Sequence, residues 1–153
     1  MIQLDKIALV TCSMLLALST AHADTPRADP ARRYIGTTAD DKRPFSPAVM
    51  VKDTLYVAGH LGLDKSGAAP ADVKVEIKNV LDNVKATIES AGLKMDDLVS
   101  VQVFCTDLTL FETFNEIYRG YFHGHFPARA FLGAGSLLRG AHFEVLGIAV
   151  KDH

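Results

Sequence analysis

The stretch from residue 72 to residue 94, DVKVEIKNVLDNVKATIESAGLK, limits the possible folds of this chain more than any other segment. Apolar residues recur along it at intervals of three and four, which places them on one side of a helix, and charged residues fill the other side. Asp72 is placed to cap the start of the helix, and Gly92 is placed to end it. The pattern predicts an amphipathic helix whose apolar stripe consists of Val73, Ile77, Val80, Leu81, Val84 and Ile88.

Shorter apolar runs surround this helix and indicate strands. RYIGTTADD is consistent with a short first strand, and AVMVKDTLYVAGHLGL forms two runs around Lys52 and Asp53, which is typical of a hairpin with a tight turn. LVSVQVFCTDL, ARAFLGAGS and HFEVLGIAV predict three further strands. LFETFNEIYRGYFHGH predicts a second helix with an aromatic stripe, and Thr109 is placed to cap it.

The order strand, hairpin, helix, strand, helix, strand, strand predicts an α+β two-layer domain. Two helices would cover one face of a mixed β-sheet and leave the other face in need of a partner. The apolar strand residues are numerous enough for both faces: Leu55, Val57, Val101, Val103, Leu132, Val145 and Ile148. We therefore expect the protein to associate with copies of itself.

The first 23 residues have the pattern of a secretory signal peptide: a short start that contains Lys6, an apolar run, and the small residues Ala21 and Ala23. The apolar run is shorter than the roughly 20 residues that a membrane-spanning helix needs. We expect cleavage after Ala23, a flexible leader over residues 24–33 and a folded domain over residues 34–153. The mature protein is then expected in the periplasm or outside the cell, without attachment to a membrane.

The charge and cysteine content exclude some classes of partner. The net charge is −2, so no basic excess is present to attract nucleic acid or an anionic membrane surface. Of the two cysteines, Cys12 lies in the predicted signal peptide, so the mature chain has no internal disulfide. Cys105 lies in a strand-like run, and we interpret it as a buried thiol without a catalytic role.

Two charged residues interrupt the apolar segment near the end of the chain. Arg129 directly follows Pro-Ala, and Glu144 lies in the middle of a strand that is otherwise apolar. A guanidinium can hold a carboxylate by two parallel hydrogen bonds, and a glutamate can exchange protons with water. From the residues alone, an ordinary interface ion pair between Arg129 and Glu144 is the simpler interpretation.

Histidines are the remaining candidates for a chemical role. His60, His123, His125 and His142 could be taken for a metal cluster, but no carboxylate or thiolate completes a ligand set. We therefore expect solvated or capping histidines and no metal site.

Four segments resemble, in order and spacing, the RidA (YjgF) family: NVKATIESAGLKMDDLVSVQVFCTDL, FNEIY, FPAR and FEVLGIAV. The resemblance extends over residues 44–151. It implies a chorismate-mutase-like fold and a homotrimer about a threefold axis, with small-molecule sites at the subunit interfaces. It also implies hydrolysis of reactive enamines and imines, such as 2-aminoacrylate, to a keto acid and ammonia without a metal or organic cofactor.

The resemblance also implies roles for single residues. Arg129 in FPAR matches the arginine that binds the substrate carboxylate, and Glu144 in FEV matches the glutamate that positions water. Gly59 in VAGH matches the glycine whose backbone borders the pocket, and Asn115 in FNEIY matches a further pocket residue.

Three positions depart from the family pattern. Phe45 stands in place of a tyrosine, Ala58 in place of a serine and Phe131 in place of a cysteine. A drier pocket at these positions would strengthen the attraction between Arg129 and an anion. Alternatively, the two phenylalanines simply fill the space left by the lost polar groups.

Two functions follow from these residues. The first is an exported deaminase of imines and enamines that carry a carboxylate. The second is a non-catalytic exported trimer that binds a small carboxylate such as a keto acid. Ribonuclease activity has been ascribed to some relatives, but the charge balance of this chain gives no support for an RNA partner.

Overall fold

The computed structural model describes residues 31–152. Within this range, six strands and two α-helices follow one another in the predicted order, joined by loops and short 3-10 turns. Their bounds are β1 Arg32–Ile35, β2 Ala48–Val51, β3 Thr54–Leu61, α1 Val73–Ser90, β4 Leu98–Cys105, α2 Phe111–Tyr118, β5 Ala128–Gly133 and β6 Phe143–Val150.

The strands form one sheet in the order β1-β2-β3-β6-β4-β5. β4 and β5 are parallel and are connected through α2, whereas the other neighbouring strands are antiparallel. Both helices pack on the same face of this mixed sheet, and the hydrophobic core lies between the two layers. The predicted α+β two-layer architecture is confirmed.

Helix α1 begins and ends where the sequence predicts. The Asp72 carboxylate accepts a hydrogen bond from the Lys74 amide and satisfies one of the free N–H groups of the first turn. Gly92 follows the helix with a φ of +85°, a left-handed conformation that costs glycine little. The apolar stripe is buried against the sheet, and side chains such as Ile77 and Leu81 are fully enclosed.

The second helix is shorter than predicted, and Thr109 is not its cap. Helix α2 covers only Phe111–Tyr118 and has a 3-10 turn on either side. The Asp107 carboxylate accepts hydrogen bonds from the amide and the hydroxyl of Thr109, so aspartate caps the first of these turns. Beyond the helix, the Asp96 carboxylate accepts a hydrogen bond from the His123 amide and holds the chain in a loop.

The seven apolar strand residues lie on both faces of the sheet, most of them on the face that the helices cover. Five of the seven are buried under the helices: Leu55, Val57, Val101, Val103 and Val145. The opposite face, called the open face below, carries Leu132 and Ile148 together with Tyr56 and Val150. The sequence does not show this division, because side chains that lie opposite each other on neighbouring strands share a face, and the register between distant strands is not a local property.

The predicted signal peptide, residues 1–23, lies outside the described residues, as does the leader up to residue 30. β1 begins at Arg32, so Arg32 and Arg33, predicted as the end of the flexible leader, belong to the sheet. Within residues 31–152, no helix combines the length and the hydropathy that crossing a membrane requires.

Candidate functional site

Arg129 and Glu144 lie on opposite faces of the sheet. Arg129 of β5 is opposite Val101 of β4, and Glu144 of β6 is opposite Phe104 of the same strand. Side chains alternate between the two faces along a strand, so positions 101 and 104 point to different sides. Arg129 therefore faces the helices and Glu144 faces the open side. An ion pair between them within one chain is excluded.

Strand β5 and helix α2 together hold the Arg129 side chain. Its Nη2 atom donates a hydrogen bond of 2.6 Å to Oδ1 of Asn115. Its guanidinium carbon lies 4.6 Å from the centre of the Tyr118 ring, a cation–π contact, and 5.8 Å from the rings of Phe111 and Phe131. These neighbours fix the direction in which the guanidinium presents its remaining N–H groups.

An open pocket of about 400 Å³ lies beside this guanidinium and is called the Arg129 pocket below. Two of its polar atoms are buried but have no hydrogen-bond partner among the described residues: Nη1 of Arg129 and Oη of Tyr118. A buried donor without a partner is costly, so such atoms mark a place where a group from outside the chain can bind. The pocket is lined by Asn115, Tyr118, Arg119, Phe126, Pro127 and Arg129.

The two unpartnered atoms differ in charge. Burial disfavours the phenolate and raises the pKa of Tyr118 to about 12, although the positive charge of Arg129 acts in the opposite direction. The hydroxyl of Tyr118 is therefore neutral at physiological pH, whereas an arginine side chain stays protonated in proteins. The pocket offers one charged and one neutral donor, an arrangement suited to an anionic acceptor.

The second group of predicted site residues lies around Glu144 on the open face. The Glu144 carboxylate rests against the backbone of Gly59, where an added Cβ atom would be only 2.0 Å from Oε1. β3 has a bulge at this point, and the amide of Ala58 donates a 2.9 Å hydrogen bond to the carbonyl of Pro47. Phe45 precedes Pro47 by two residues and is 55% exposed. This Glu144 group therefore combines β6, the bulge in β3 and the segment before β2.

The predicted site residues thus divide between two places that a single chain does not bring together. Arg129 and Asn115 line the Arg129 pocket, and Phe131 lies behind it rather than in its lining. The Phe131 ring packs edge-on against Phe111 at 5.0 Å and Phe114 at 5.5 Å. Its contribution in this chain is to support the aromatic wall that surrounds the guanidinium.

Sequence reasoning overlooked a buried carboxylate, Glu76 in the first turn of α1. It is fully buried, and Oε1 accepts hydrogen bonds from the amides of His142 (2.6 Å) and Phe143 (3.0 Å). Oε2 lies 2.7 Å from Nδ1 of His142. Glu76 therefore fixes the start of β6, one residue before Glu144. Its position four residues before Val80, within the apolar stripe, is the signal that could have revealed this role.

His60 and Cys105, also considered from the sequence, have structural partners. The His60 ring lies 3.2 Å from the hydroxyl of Thr87 on α1, and burial lowers its pKa. Sγ of Cys105 donates to the Asp107 carbonyl, and burial raises the pKa of this thiol, so it stays protonated. Among residues 31–152, no three histidine, cysteine or acidic side chains are grouped so as to hold a metal ion.

Known sequences provide a second view of this geometry. The family model described as Endoribonuclease L-PSP matches residues 37–151. The chain is 38% identical over 124 residues to the 2-iminobutanoate/2-iminopropanoate deaminase of Mus musculus. The matched region covers 78% of this chain and 92% of that protein. The protein of the same name from Escherichia coli K12 is 37% identical over 112 residues, 71% of this chain and 88% of the relative.

Solved structures show the same fold. The YjgF gene product of E. coli superimposes with a TM-score of 0.69 at 34% identity, covering 73% of this chain and 91% of that structure. The crystal structure of E. coli TdcF with bound serine has a TM-score of 0.72 at 29% identity, covering 78% and 99%. These likenesses confirm the predicted chorismate-mutase-like, RidA-like fold.

Proposed function

The chain belongs to the endoribonuclease L-PSP family, the RidA family that its motifs resemble, and on this premise we propose that it hydrolyses 2-imino acids and their enamine tautomers to 2-keto acids and ammonia. Its relatives in mouse and E. coli are named for this reaction of 2-iminobutanoate and 2-iminopropanoate. The observation that carries the proposal is Arg129, which lines a pocket and whose buried Nη1 has no hydrogen-bond acceptor among the described residues.

The substrate carboxylate would be the acceptor that the Arg129 pocket lacks. Asn115 already holds Nη2 of the guanidinium, so Nη1 remains for the ligand in a fixed direction. Hydrogen bonds between a guanidinium and a carboxylate are charge-assisted and stronger than neutral ones. The bound serine in the E. coli TdcF structure is a small molecule with a carboxylate, which supports a ligand of this size and charge.

A site that uses both Arg129 and Glu144 requires two copies of the chain, because the two side chains lie on opposite faces of one sheet. We therefore propose a homotrimer in which Arg129 of one subunit and Glu144 of the next border the same site. The open face supplies an apolar surface for this assembly, since Tyr56 is 51% and Leu132 is 42% exposed in the single chain.

Glu144 would transfer the protons of the reaction. In the first step water forms a C–O bond with the imine carbon as the C=N π electrons move to the nitrogen, and Glu144 passes a proton from the water to that nitrogen to give a carbinolamine. In the second step Glu144 passes the hydroxyl proton to the nitrogen, the C–N bond breaks, ammonia leaves with the electron pair of that bond, and the C=O bond forms. One water is consumed and no oxidant is required.

A second candidate function is a non-catalytic trimer that binds a small carboxylate. Phe45, Ala58 and Phe131 favour this alternative, because the family pattern has hydroxyl or thiol groups at these three positions. Under it, Arg129 would bind the ligand, and Glu144 would have no acid–base role.

The variant Glu144→Gln distinguishes the two functions. The amide keeps the shape of the carboxylate but cannot accept a proton, so we expect 2-oxobutanoate to bind normally and hydrolysis to stop. The assay generates imines in place from a panel of amino acids and measures the rate of ammonia release. The control is Glu89→Gln, which changes an exposed carboxylate on α1 that pairs with Lys85 at 3.8 Å. Unchanged hydrolysis by Glu144→Gln would contradict the mechanism, and wild-type binding without turnover would favour the second function.

The shared site can be tested by mixing two inactive variants. In a trimer assembled from Arg129→Lys and Glu144→Gln chains, one interface combines a native Arg129 with a native Glu144. Activity should therefore reappear in the mixture but not in either variant alone. Light scattering should report a trimer at micromolar concentration. A stable monomer, or no recovery in mixed trimers, would contradict the shared site.

We also propose that the protein acts in the periplasm or outside the cell, on the basis of the signal-peptide pattern of residues 1–23. N-terminal sequencing of the protein from an envelope fraction should find Asp24 as the first residue. Met1 on a cytoplasmic product would contradict export.

A further inference from the structure

The Arg129 pocket contains a second buried donor that the mechanism above does not use, the hydroxyl of Tyr118. Tyr118 is only 4% exposed, and its Oη has no hydrogen-bond partner among the described residues. Buried tyrosine hydroxyls usually find a partner, because burying an unpaired polar group costs free energy. The unpaired state of this hydroxyl therefore calls for a functional reason.

The Tyr118 ring is packed against other aromatic rings, which fixes its orientation beside the pocket. Ring centres lie 5.6 Å from Phe114, 4.8 Å from Phe122 and 6.3 Å from Phe126. The guanidinium of Arg129 lies over the ring at 4.6 Å. Tyr118 and Arg129 are thus held as one unit, and both residues line the same pocket.

The pocket contains donors in excess of acceptors. Oδ1 of Asn115 is already used by Nη2 of Arg129, and the lining residues include no aspartate or glutamate. Nη1 of Arg129 and Oη of Tyr118 therefore both lack an acceptor. A carboxylate has two oxygens that accept hydrogen bonds and a negative charge that suits the guanidinium.

We propose that Tyr118 is a second ligand of the substrate carboxylate, with its hydroxyl donating to one oxygen while Nη1 of Arg129 donates to the other. This inference rests on the proposed function, since it concerns how the same site recognises its substrate. The two donors together select for a free carboxylate. An amide or an ester places an N–H group or an alkyl group where one donor needs an acceptor, and a buried unpaired donor is penalised.

Replacing Tyr118 with phenylalanine tests the proposal, because the change removes the hydroxyl and keeps the ring that packs against Arg129. Titration calorimetry should show binding of 2-oxobutanoate weakened by about tenfold, the loss of one hydrogen bond to a charged group. Discrimination between 2-oxobutanoate and 2-oxobutanamide should fall by a similar factor. The thermal midpoint of the ligand-free protein should stay the same or rise, since a buried unpaired hydroxyl has been removed.

Tyr121→Phe is the matched control. The Tyr121 hydroxyl donates a 2.7 Å hydrogen bond to Asp82 and does not line the Arg129 pocket. This variant should lower the thermal midpoint and leave the binding of 2-oxobutanoate unchanged. The proposal is supported if Tyr118→Phe weakens binding without lowering the thermal midpoint, and Tyr121→Phe lowers the thermal midpoint without weakening binding. If the Tyr118 hydroxyl had a purely structural role, Tyr118→Phe would lower the thermal midpoint as well as the affinity.

Three results would overturn the inference. If Tyr118→Phe binds 2-oxobutanoate as tightly as the wild type while Arg129→Lys does not, the proposed function stands and the role of Tyr118 is wrong. If Tyr118→Phe loses binding only because the assembly dissociates or the thermal midpoint falls, the hydroxyl is structural. If the wild type binds no keto acid, the proposed function fails together with this inference.

Discussion

Glu76 and Arg129 are both charged side chains on the helix side of the sheet, Glu76 fully buried and Arg129 partly buried, and their surroundings differ. Glu76 is fully buried, and its carboxylate has partners for both oxygens, the amides of His142 and Phe143 and the ring of His142. Arg129 has a partner for Nη2, whereas its Nη1 atom is buried without a partner within residues 31–152.

This difference separates a structural charge from a functional one. A buried charge with all its hydrogen bonds made holds elements together, and removing it leaves its partners unsatisfied. A buried charge with a free donor next to a pocket is instead prepared for a ligand. In this protein Glu76 fixes the start of β6, and Arg129 provides the anion site.

The largest expected effect is the loss of stability in Glu76→Ala. The amides of His142 and Phe143 would remain buried without an acceptor, so we expect the free energy of unfolding to fall by about 3–5 kcal/mol. Urea unfolding followed by circular dichroism measures it. Glu89→Ala, which removes an exposed carboxylate from the same helix, should cost less than about 0.5 kcal/mol. Equal losses in the free energy of unfolding of Glu76→Ala and Glu89→Ala would contradict the structural role of Glu76.

Two glycines extend the comparison to the backbone. A Cβ at Gly62 would lie 2.1 Å from the backbone oxygen of Glu76, which cannot move away, so Gly62→Ala should destabilise the fold by about 3 kcal/mol. A Cβ at Gly59 would meet only the end of the Glu144 side chain, which can rotate. Gly59→Ala should therefore cost less than about 1 kcal/mol in stability but displace Glu144 and lower kcat. Thermal unfolding measures the losses of stability, and the imine assay measures kcat. A larger loss of stability in Gly59→Ala than in Gly62→Ala would contradict the roles assigned to both glycines.

Arg129→Lys should affect binding rather than folding. A lysine ammonium is a point charge without the planar pair of donors that arginine has. Keeping the positive charge therefore does not restore the contact with the ligand carboxylate. Hydrogen bonds to charged groups contribute about 1.5–3 kcal/mol, so binding of 2-oxobutanoate should weaken by about tenfold or more. Calorimetry measures the affinity, and Arg139→Lys, outside the Arg129 pocket, is the control. Unchanged affinity in Arg129→Lys would assign the pocket no role in binding.

The last expected effect is confined to alkaline pH, where the stability of the fold should change. The pKa of Tyr118 is raised from its ordinary value near 10 to about 12, so the folded state keeps the phenol proton that the unfolded chain releases. Stability from this group is present below pH 10 and is lost as the pH rises towards 12, at about 1.4 kcal/mol for each pKa unit. Urea titrations over this range should show a smaller loss in Tyr118→Phe. The same dependence of stability on pH in the wild type and in Tyr118→Phe would contradict the assignment of this effect to Tyr118.

Local patterns in the sequence predict most of the elements. The stripe of α1, its cap at Asp72 and its end at Gly92 depend on neighbours a few residues away, and the structure has all three. The shorter α2 was harder to predict, because Asp107 caps a 3-10 turn before the helix and the distant Asp96 holds the loop after it. The spacing of nearby residues does not predict the contact between Asp96 and His123.

The sequence by itself determined the strands and helices, the family, and the presence of an arginine and a glutamate where an apolar core was expected. Only the tertiary structure decided that Arg129 and Glu144 lie on opposite faces, that Glu76 has partners for both oxygens and that Nη1 of Arg129 has none. The physical reason is that the last strand, β6, inserts between β3 and β4. The register of that long-range pairing sets which side chains share a face and which buried donors find an acceptor, and neither is a local property of the chain.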